Sequence, residues 1–418
     1  MKPWRLLFGF ISLSTGIVRC SAIGLEELDI ALKSYDKRVR PYQNVAPVEV
    51  EVQIAIKALG PIDTKTFTFE ADFYLREFWT DPRISLEIEN TIHLPGNPTS
   101  FLWVPDLFIQ NAGKTKIHKM VTESTGTLIQ SGGRIMLSSA IKVSFACSMD
   151  LHIYPMDSQI CSLELESYLF SNRNLNPVWR DKPLEYDEKS IKVPGFTVRN
   201  ITTDVYNHTY LTNPVFPRLR VSFHIDRTLT YYLYRTYIPS ISLVILSWGT
   251  FHLPATAYPA RMAVIVSNFL ASTYILQHAS SEYTKVEYTT SIEIYLLVNM
   301  CFILITMLEY MIVLRTPPDI DIPRKKLSRK EEDTKKNNIE MVKSFYCNKN
   351  AIEDKEDIDY VSNDTHGQVE VISAKEKDTR KVQNLHNIDR ISTVLIPLAY
   401  IIFNITFFAY FLPKGKMY

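Results

Sequence analysis

The sequence predicts an extracellular all-β sandwich followed by a four-helix transmembrane bundle. Three observations predict this order. Residues 1–22 carry Lys2 and Arg5, an apolar run from Leu6 to Val18, then Cys20-Ser21-Ala22, the layout of a secretory signal peptide. Residues 23–230 repeat short runs of period-two alternation broken by Gly, Pro and Asn, as sandwich strands do. Four apolar stretches follow, Tyr234–Leu253, Pro259–Ala279, Thr290–Leu314 and Ile391–Leu412. Each is near the length of about 20 residues with which a helix crosses about 30 Å of hydrocarbon.

Taken in order, the mature chain opens with Leu25, Leu28, Ile30 and Leu32 among acids and Lys, which predicts one amphipathic helix over Leu25–Lys37. After Pro41 the period changes. Val48–Ile56 and Thr66–Arg76 alternate as half-buried strands do, and strand-like runs return at Thr127–Gln130, Ile135–Ala146, Gln159–Leu165, Phe196–Asn200 and Arg218–Asp226. Gly60-Pro61, Pro95-Gly96-Asn97-Pro98 and Ser131-Gly132-Gly133 supply turns. Sequons at Asn200 and Asn207 fit a secreted surface.

Residues 231–314 hold three spans in quick succession. The second is a poor lipid-facing helix. Steps of three and four put Ala263, Ser267, Leu270, Tyr274, Gln277 and Ser281 on one face, a small and polar stripe that turns towards water or a partner helix. Residues 315–390 mix Lys/Arg with Asp/Glu without an apolar period, which predicts a largely disordered loop. Its opening cluster, Arg324, Lys325, Lys326, Arg329 and Lys330, places it in the cytoplasm. Residues 391–412 form the last span and 413–418 an extracellular tail, so both termini lie outside.

A net charge of +1 gives no argument for nucleic acid. Cys147 and Cys161 are the pair left on the oxidising side once Cys20 is removed, which predicts a disulfide closing a short loop, worth about 3 kcal/mol. Cys301 and Cys347 are expected as free thiols, and the cysteine and histidine spacing supplies no metal site. No cofactor is expected.

At the residue level the chain resembles the Cys-loop family of pentameric ligand-gated ion channels. The match is carried by Cys147-Ser-Met-Asp-Leu-His-Ile-Tyr154-Pro155-Met-Asp157-Ser-Gln-Ile-Cys161, with an aromatic-Pro-x-Asp core. Trp79-x-Asp81-Pro82-Arg83 and Trp103-Val-Pro-Asp106 before it, and Tyr231-Tyr232 with Tyr237-Ile-Pro239 and Ser247-Trp248 after it, also resemble family landmarks and fall in family order. The resemblance implies a homo- or hetero-pentamer with related subunits, in a multi-pass plasma-membrane protein of synaptic or neuronal setting. The second helix of each subunit would line the pore, with Pro259, Ala260, Arg261, Ala263, Ser267, Leu270, Tyr274 and Gln277 along it and Leu270 at the hydrophobic gate. Pro259-Ala260-Arg261 resembles the anion-selective branch, since the cation branch carries a Glu where Ala260 stands. A mouth with Arg and no carboxylate favours chloride. Tyr274 departs from that branch's Thr-rich pore.

The resemblance also places a small-molecule neurotransmitter between subunits. Phe108, Glu166, Ser167, Tyr168 and Phe216 would come from one subunit and Tyr74, Arg76 and Ser138 from its neighbour. Aromatic faces and Glu166 suit an ammonium, and the fork of Arg76 a carboxylate, as for GABA- and glycine-type receptors. Leu211 and Asn213 depart from the GABA pattern, and no vicinal Cys pair marks a nicotinic type. Asp63, Asp157, Arg227 and Lys285 match or lie near the junction that couples ligand to pore. The expected function is therefore a neurotransmitter-gated chloride channel subunit, opened by a small amino-acid-like or amine ligand at subunit interfaces and in contact with membrane lipid. The alternatives are an accessory or non-conducting subunit, a cation-selective channel, or a membrane-anchored ectoenzyme, for which the sequence offers no Gly-rich phosphate loop or nucleophile elbow.

Overall fold

The computed structural model describes residues 23–84, 91–119, 123–210, 214–253, 258–314 and 391–413. The expected signal peptide, the loop over 315–390, and Leu211 and Asn213 lie outside them. The chain divides into two compact units. The first holds all the strands together with Ser280–Ile292, and the second holds the helices that follow.

In the first unit, α1 (Ile23–Leu32) stops short of Lys37. Tyr35 lies beyond its end, its hydroxyl donating to Asp81 at 2.8 Å while Arg83 lies 4.3 Å over its ring. Eleven strands follow in the described residues: β1 (Val48–Asp63), β2 (Thr68–Thr80), β3 (Ile92–Pro95), β4 (Leu107–Ile109), β5 (Ala112–Ile117), β6 (Thr125–Gln130), β7 (Arg134–Ala146), β8 (Ser158–Ser167), β9 (Leu175–Tyr186), β10 (Phe196–Thr209) and β11 (Val215–Arg227). One sheet runs β3-β6-β7-β2-β1-β9, with β5 also paired to β7; the other runs β10-β11-β8-β4.

Alternation does the packing. In β2 every second residue from Phe69 to Trp79 is buried while Tyr74 and Arg76 turn outward. Phe69 and Phe145 from the larger sheet meet Phe223 of the smaller, with ring centroids 5.2–6.2 Å apart. These three rings close the core between the sheets. Cys147, just after β7, is bonded to Cys161 of β8, so the disulfide joins the two sheets. The β6–β7 turn needs glycine at Gly133. Its φ is 73°, its carbonyl accepts from the Asp81 amide, and a Cβ there would meet the Asp81 carbonyl oxygen at 2.2 Å.

In the second unit the expected first span is helical but not one helix. After α2 (Thr230–Tyr232), which belongs to the first unit, it runs as a π-turn over Leu233–Tyr237, then α3 (Ile238–Gly249), then a 3-10 turn over Thr250–His252. Pro239, in the first turn of α3, has no amide hydrogen to continue the ladder, which accounts for the change of winding there. Three further helices are long and apolar enough to cross a membrane: α4 (Tyr258–Ser280), α5 (Ser291–Leu314) and α6 (Ile391–Pro413). Val244, Ile265, Ile303, Tyr310 and Tyr400, drawn from all four helices α3 to α6, form a single buried cluster.

Candidate functional site

The larger sheet presents the first group of expected ligand residues. Arg76 of β2 stands between Gln53 of β1 and Ser138 of β7 in the strand register, so the three share one face. Arg76 Nη1 donates to Gln53 at 3.1 Å and to Glu185 at 2.7 Å. Tyr74 lies two residues along the same face, half-exposed, with Lys57 Nζ 5.2 Å from its ring centroid. Arg76 and Ser138 line a cavity of about 750 Å³, within the range of small-ligand sites.

The smaller sheet presents the second group. Phe108 of β4 pairs with Glu166 of β8, and Phe108 meets Tyr168 edge to face at 5.7 Å. Phe216 of β11 meets Tyr210 at 5.4 Å. Ser167 is buried and donates to Asp106 at 2.5 Å, while the amides of Tyr168 and Leu169 also bond to Asp106, so this loop is pinned from below. Tyr168 itself is exposed.

Glu166 differs from the expectation. Its carboxylate is buried and already taken, accepting from Arg218 Nε at 2.5 Å and from the Tyr210 hydroxyl at 2.8 Å. Arg218 also reaches Glu164 and the hydroxyls of Tyr206 and Tyr210. Burial works against the Arg218 charge, but these bonds outweigh it and hold its pKa above the ordinary arginine value. A carboxylate so neutralised has little charge left for a ligand ammonium, which leaves that task to the aromatic rings. Arg218 was absent from the expected site. Its signal was in the sequence: Glu164-x-Glu166 and Arg218-x-Arg220 each keep like charges on one strand face, and the two strands pair.

On α4 the expected stripe is exposed: Ala263, Ser267, Leu270, Tyr274 and Gln277, with Pro259 and Ala260 at its start. Leu270 and Tyr274 are 62% and 68% exposed, large values for apolar and aromatic side chains. Ile265, Asn268, Ser272 and Ala279 form the opposite, buried face, and Asn268 Nδ2 donates to Ser247 of α3 at 3.2 Å. Arg261 departs from the expected lining. It lies on the buried face, donating to the carbonyls of Phe251 and Leu253, with Tyr310 stacked 5.4 Å away. Those carbonyls end the 3-10 turn after α3 and give the guanidinium partners it lacks in hydrocarbon.

Of the expected junction residues, Asp157 and Arg227 form a buried bidentate pair at 2.8 and 3.1 Å, with Gln159 donating to the same carboxylate at 2.6 Å. Arg227 is also sandwiched by Tyr154 and Phe196 at 4.7 and 4.6 Å. Asp63 spends its oxygens inside its own turn, on the Lys65 amide and the Thr66 hydroxyl. The adjacent Thr64 bonds to Glu282 and Thr284, next to the exposed Lys285. The Tyr288 hydroxyl accepts from the Leu151 amide at 3.0 Å, and its ring stacks flat on His152 at 3.7 Å. Ser291 donates to the carbonyls of Ile153 and Tyr154. The Cys loop and the 280–292 segment are therefore knitted together. The sequons fall on β10, the edge strand of its sheet, with Asn200 and Asn207 both exposed. Cys301 is a free thiol on α5.

Comparison with known proteins accounts for both units. Residues 26–229 match the family model described as the neurotransmitter-gated ion-channel ligand binding domain, and residues 236–379 the one described as the neurotransmitter-gated ion-channel transmembrane region. The gamma-aminobutyric acid receptor subunits rho-1 of Rattus norvegicus and of Mus musculus are each 26% identical over 425 residues, covering 95% of this chain and 86% of the relative. The gamma-aminobutyric acid receptor subunit beta of Lymnaea stagnalis is 28% identical over 330 residues, covering 73% and 66%. The chain belongs to the neurotransmitter-gated ion-channel family: it is a ligand-gated channel subunit of that membrane family, and not an enzyme.

Proposed function

We propose that this chain forms a chloride-selective channel, opened by an amino-acid-like ligand bound between neighbouring subunits of a homo- or hetero-pentamer at the plasma membrane of a neuron or synapse. The observation that carries the pore reading is α4, where a continuous face of small, polar and gate-forming residues is exposed while the opposite face is packed. A ring of Leu270 side chains closes such a path by dewetting. At the mouth Ala260 brings no carboxylate. With Arg261 turned into the helix packing, its charge reaches the path as a field rather than as a contact.

The ligand reading is supported by Arg76 and Ser138 on one sheet and by Phe108, Tyr168 and Phe216 on the other. The two groups lie on different sheets of one chain, so a shared ligand calls for two copies side by side. Junction residues Asp63, Asp157, Arg227 and Lys285 then relay loop closure, with the Asp157–Arg227 pair as a fixed strut. Asn200 and Asn207 are the glycan acceptors of the exposed edge strand, and residues 1–22 and 315–390 are the signal peptide and the cytoplasmic loop.

A second reading, an accessory subunit that conducts poorly alone, is favoured by Tyr274. Its exposed ring shares the face of Leu270, and five copies would narrow the path. Voltage clamp of cells expressing the chain alone tests both. Under an amino-acid panel, evoked current is expected to reverse near the chloride potential and to follow chloride replacement by a large anion. Reversal that follows sodium overturns the anion reading. Current that appears only with a partner subunit or with Tyr274→Thr favours the accessory reading.

A further inference from the structure

A buried carboxyl of β2 is linked to the loop that carries Tyr168. Glu77 faces the core, two residues from Trp79 on the same face of the strand. In the strand register it stands between Val52 of β1 and Leu137 of β7, both buried and apolar. It is 6% exposed, and its Oε2 has no hydrogen-bond partner among the described residues. The charge that reaches it has the same sign, and comes from Asp106 in the segment before β4.

Asp106 is what holds the Tyr168 loop. Ser167 Oγ and the Leu169 amide donate to its two carboxylate oxygens at 2.5 and 2.7 Å, and the Tyr168 amide donates to its carbonyl at 3.3 Å. The Phe170 amide closes the turn on Ser167 Oγ at 2.8 Å. The ring of Phe170 lies 6.4 Å from that of Trp103, which meets Trp79 edge to face at 6.3 Å. The Glu77 strand and the 167–170 turn are therefore joined by three rings in series and by the charge of Asp106.

The two carboxyls cannot share a state. Two donors favour the charged form of Asp106, whereas apolar neighbours on both strands favour the neutral form of Glu77. Ionising Glu77 puts a second negative charge into the same interior, and only water can relieve it. Val52 and Leu137 belong to the packed centre of the sheet. Tyr168 and Leu169 are 78% and 70% exposed, so the turn they form is the side that yields.

We propose that Glu77 is a positioning residue for the ligand loop: its proton keeps the 167–170 turn closed on Asp106, and loss of that proton to solvent releases Tyr168. This rests on the reading of Tyr168 as a ligand contact. The sign follows from where the proton is held. Burial, and after it the Asp106 charge, pushes the Glu77 carboxyl up to about 8 in the closed form. Opening returns it to water and releases one proton, so the open fraction rises about ten-fold per pH unit until the closed form itself ionises near 8.

The test is hydrogen–deuterium exchange of the purified full chain between about pH 6 and 9, each amide's rate being divided by its denatured-state rate at the same pH. Protection of Tyr168, Leu169 and Phe170 is expected to fall about ten-fold per pH unit and to level off above about 8, while the β8 amides paired with β11 fall less. Glu77→Gln, which keeps the shape of the neutral acid, is expected to abolish the fall. Level protection in the wild-type chain, the same fall in Glu77→Gln, or an equal fall throughout β8 overturns the inference. Voltage clamp with the amino-acid panel reads the consequence: half-maximal concentration is expected to rise three-fold or more from about pH 6.5 to 8.5 and to stay level in Glu77→Gln. Potency that ignores pH in the wild-type chain overturns the role at the ligand site. The exchange measurement needs no agonist, which keeps the two readings apart. If Tyr168→Ala leaves potency unchanged while exchange follows pH as expected, the ligand reading of Tyr168 falls and the proton-held turn stands.

Discussion

Arginine meets a carboxylate on each sheet of the sandwich, at almost the same distance: 2.5 Å for Arg218 with Glu166 and 2.7 Å for Arg76 with Glu185. Burial separates them. The first pair is 7% and 3% exposed and belongs to a network with Glu164, Tyr206 and Tyr210. The second is 29% and 62% exposed at the rim of a cavity. A buried, fully bonded pair is part of the fold, because removing either member strands a charge. An open pair of the same geometry is an exchangeable contact. Distance alone does not distinguish a strut from a binding group.

The largest expected effect breaks the buried side of this comparison. Arg218→Ala leaves Glu166 uncompensated in the interior, and such losses cost about 3–5 kcal/mol. Thermal unfolding of the detergent-solubilised chain should show a clear drop in Tm with reduced surface expression. The double change Glu166→Gln with Arg218→Met should recover much of it, since the stranded charge is gone. If Arg218→Ala unfolds at the wild-type temperature, the network is not a strut.

A smaller effect sharpens the comparison with a buried carboxyl that has no arginine. Glu77 of β2 is buried, and its Oε2 has no hydrogen-bond partner among the described residues. Burial, with a contribution from the nearby Asp106 charge, pushes its pKa from the ordinary 4.5 up to about 8. Below about pH 4.5 Glu77 is protonated whether the chain is folded or not. Between about 4.5 and 8 the unfolded chain releases the proton and the folded chain keeps it, so this group lowers stability as pH rises; above 8 its slope vanishes. Glu77→Gln should therefore flatten the fall in Tm between pH 5 and 8 and raise Tm at pH 8. An unchanged pH profile would contradict the burial argument.

Much of this was legible in the sequence where a period governs. Alternation marked β1 and β2, strand-like runs marked β7, β8 and β11, and steps of three and four marked the exposed face of α4. β9 left no such mark. Pro177 and Pro183 interrupt it, its last turns are polar, and it pairs in parallel at the sheet edge, where missing amide donors are tolerated. Partnerships were the least legible part. Glu166 and Arg218 are 52 residues apart, and only the β8–β11 register brings them together. Arg261 reads as a mouth-lining charge because cations at span ends usually reach for water, yet the carbonyls at the end of the α3 segment draw it into the packing.

The central claim is that Arg76 is a ligand contact while Glu166 is part of the fold, and agonist potency in well-expressed receptors tests it most directly. In cells carrying the full chain, with a partner subunit if current requires one, Arg76→Ala should change stability by less than about 1 kcal/mol, as for an exposed pair. It should also raise the half-maximal concentration of a carboxylate-bearing agonist by ten-fold or more, since a charge-assisted ligand contact is worth on the order of 2–5 kcal/mol and about 1.4 kcal/mol is one decade. Unchanged potency at normal surface expression, beside a shifted potency in an equally stable Glu166→Gln, would contradict the account.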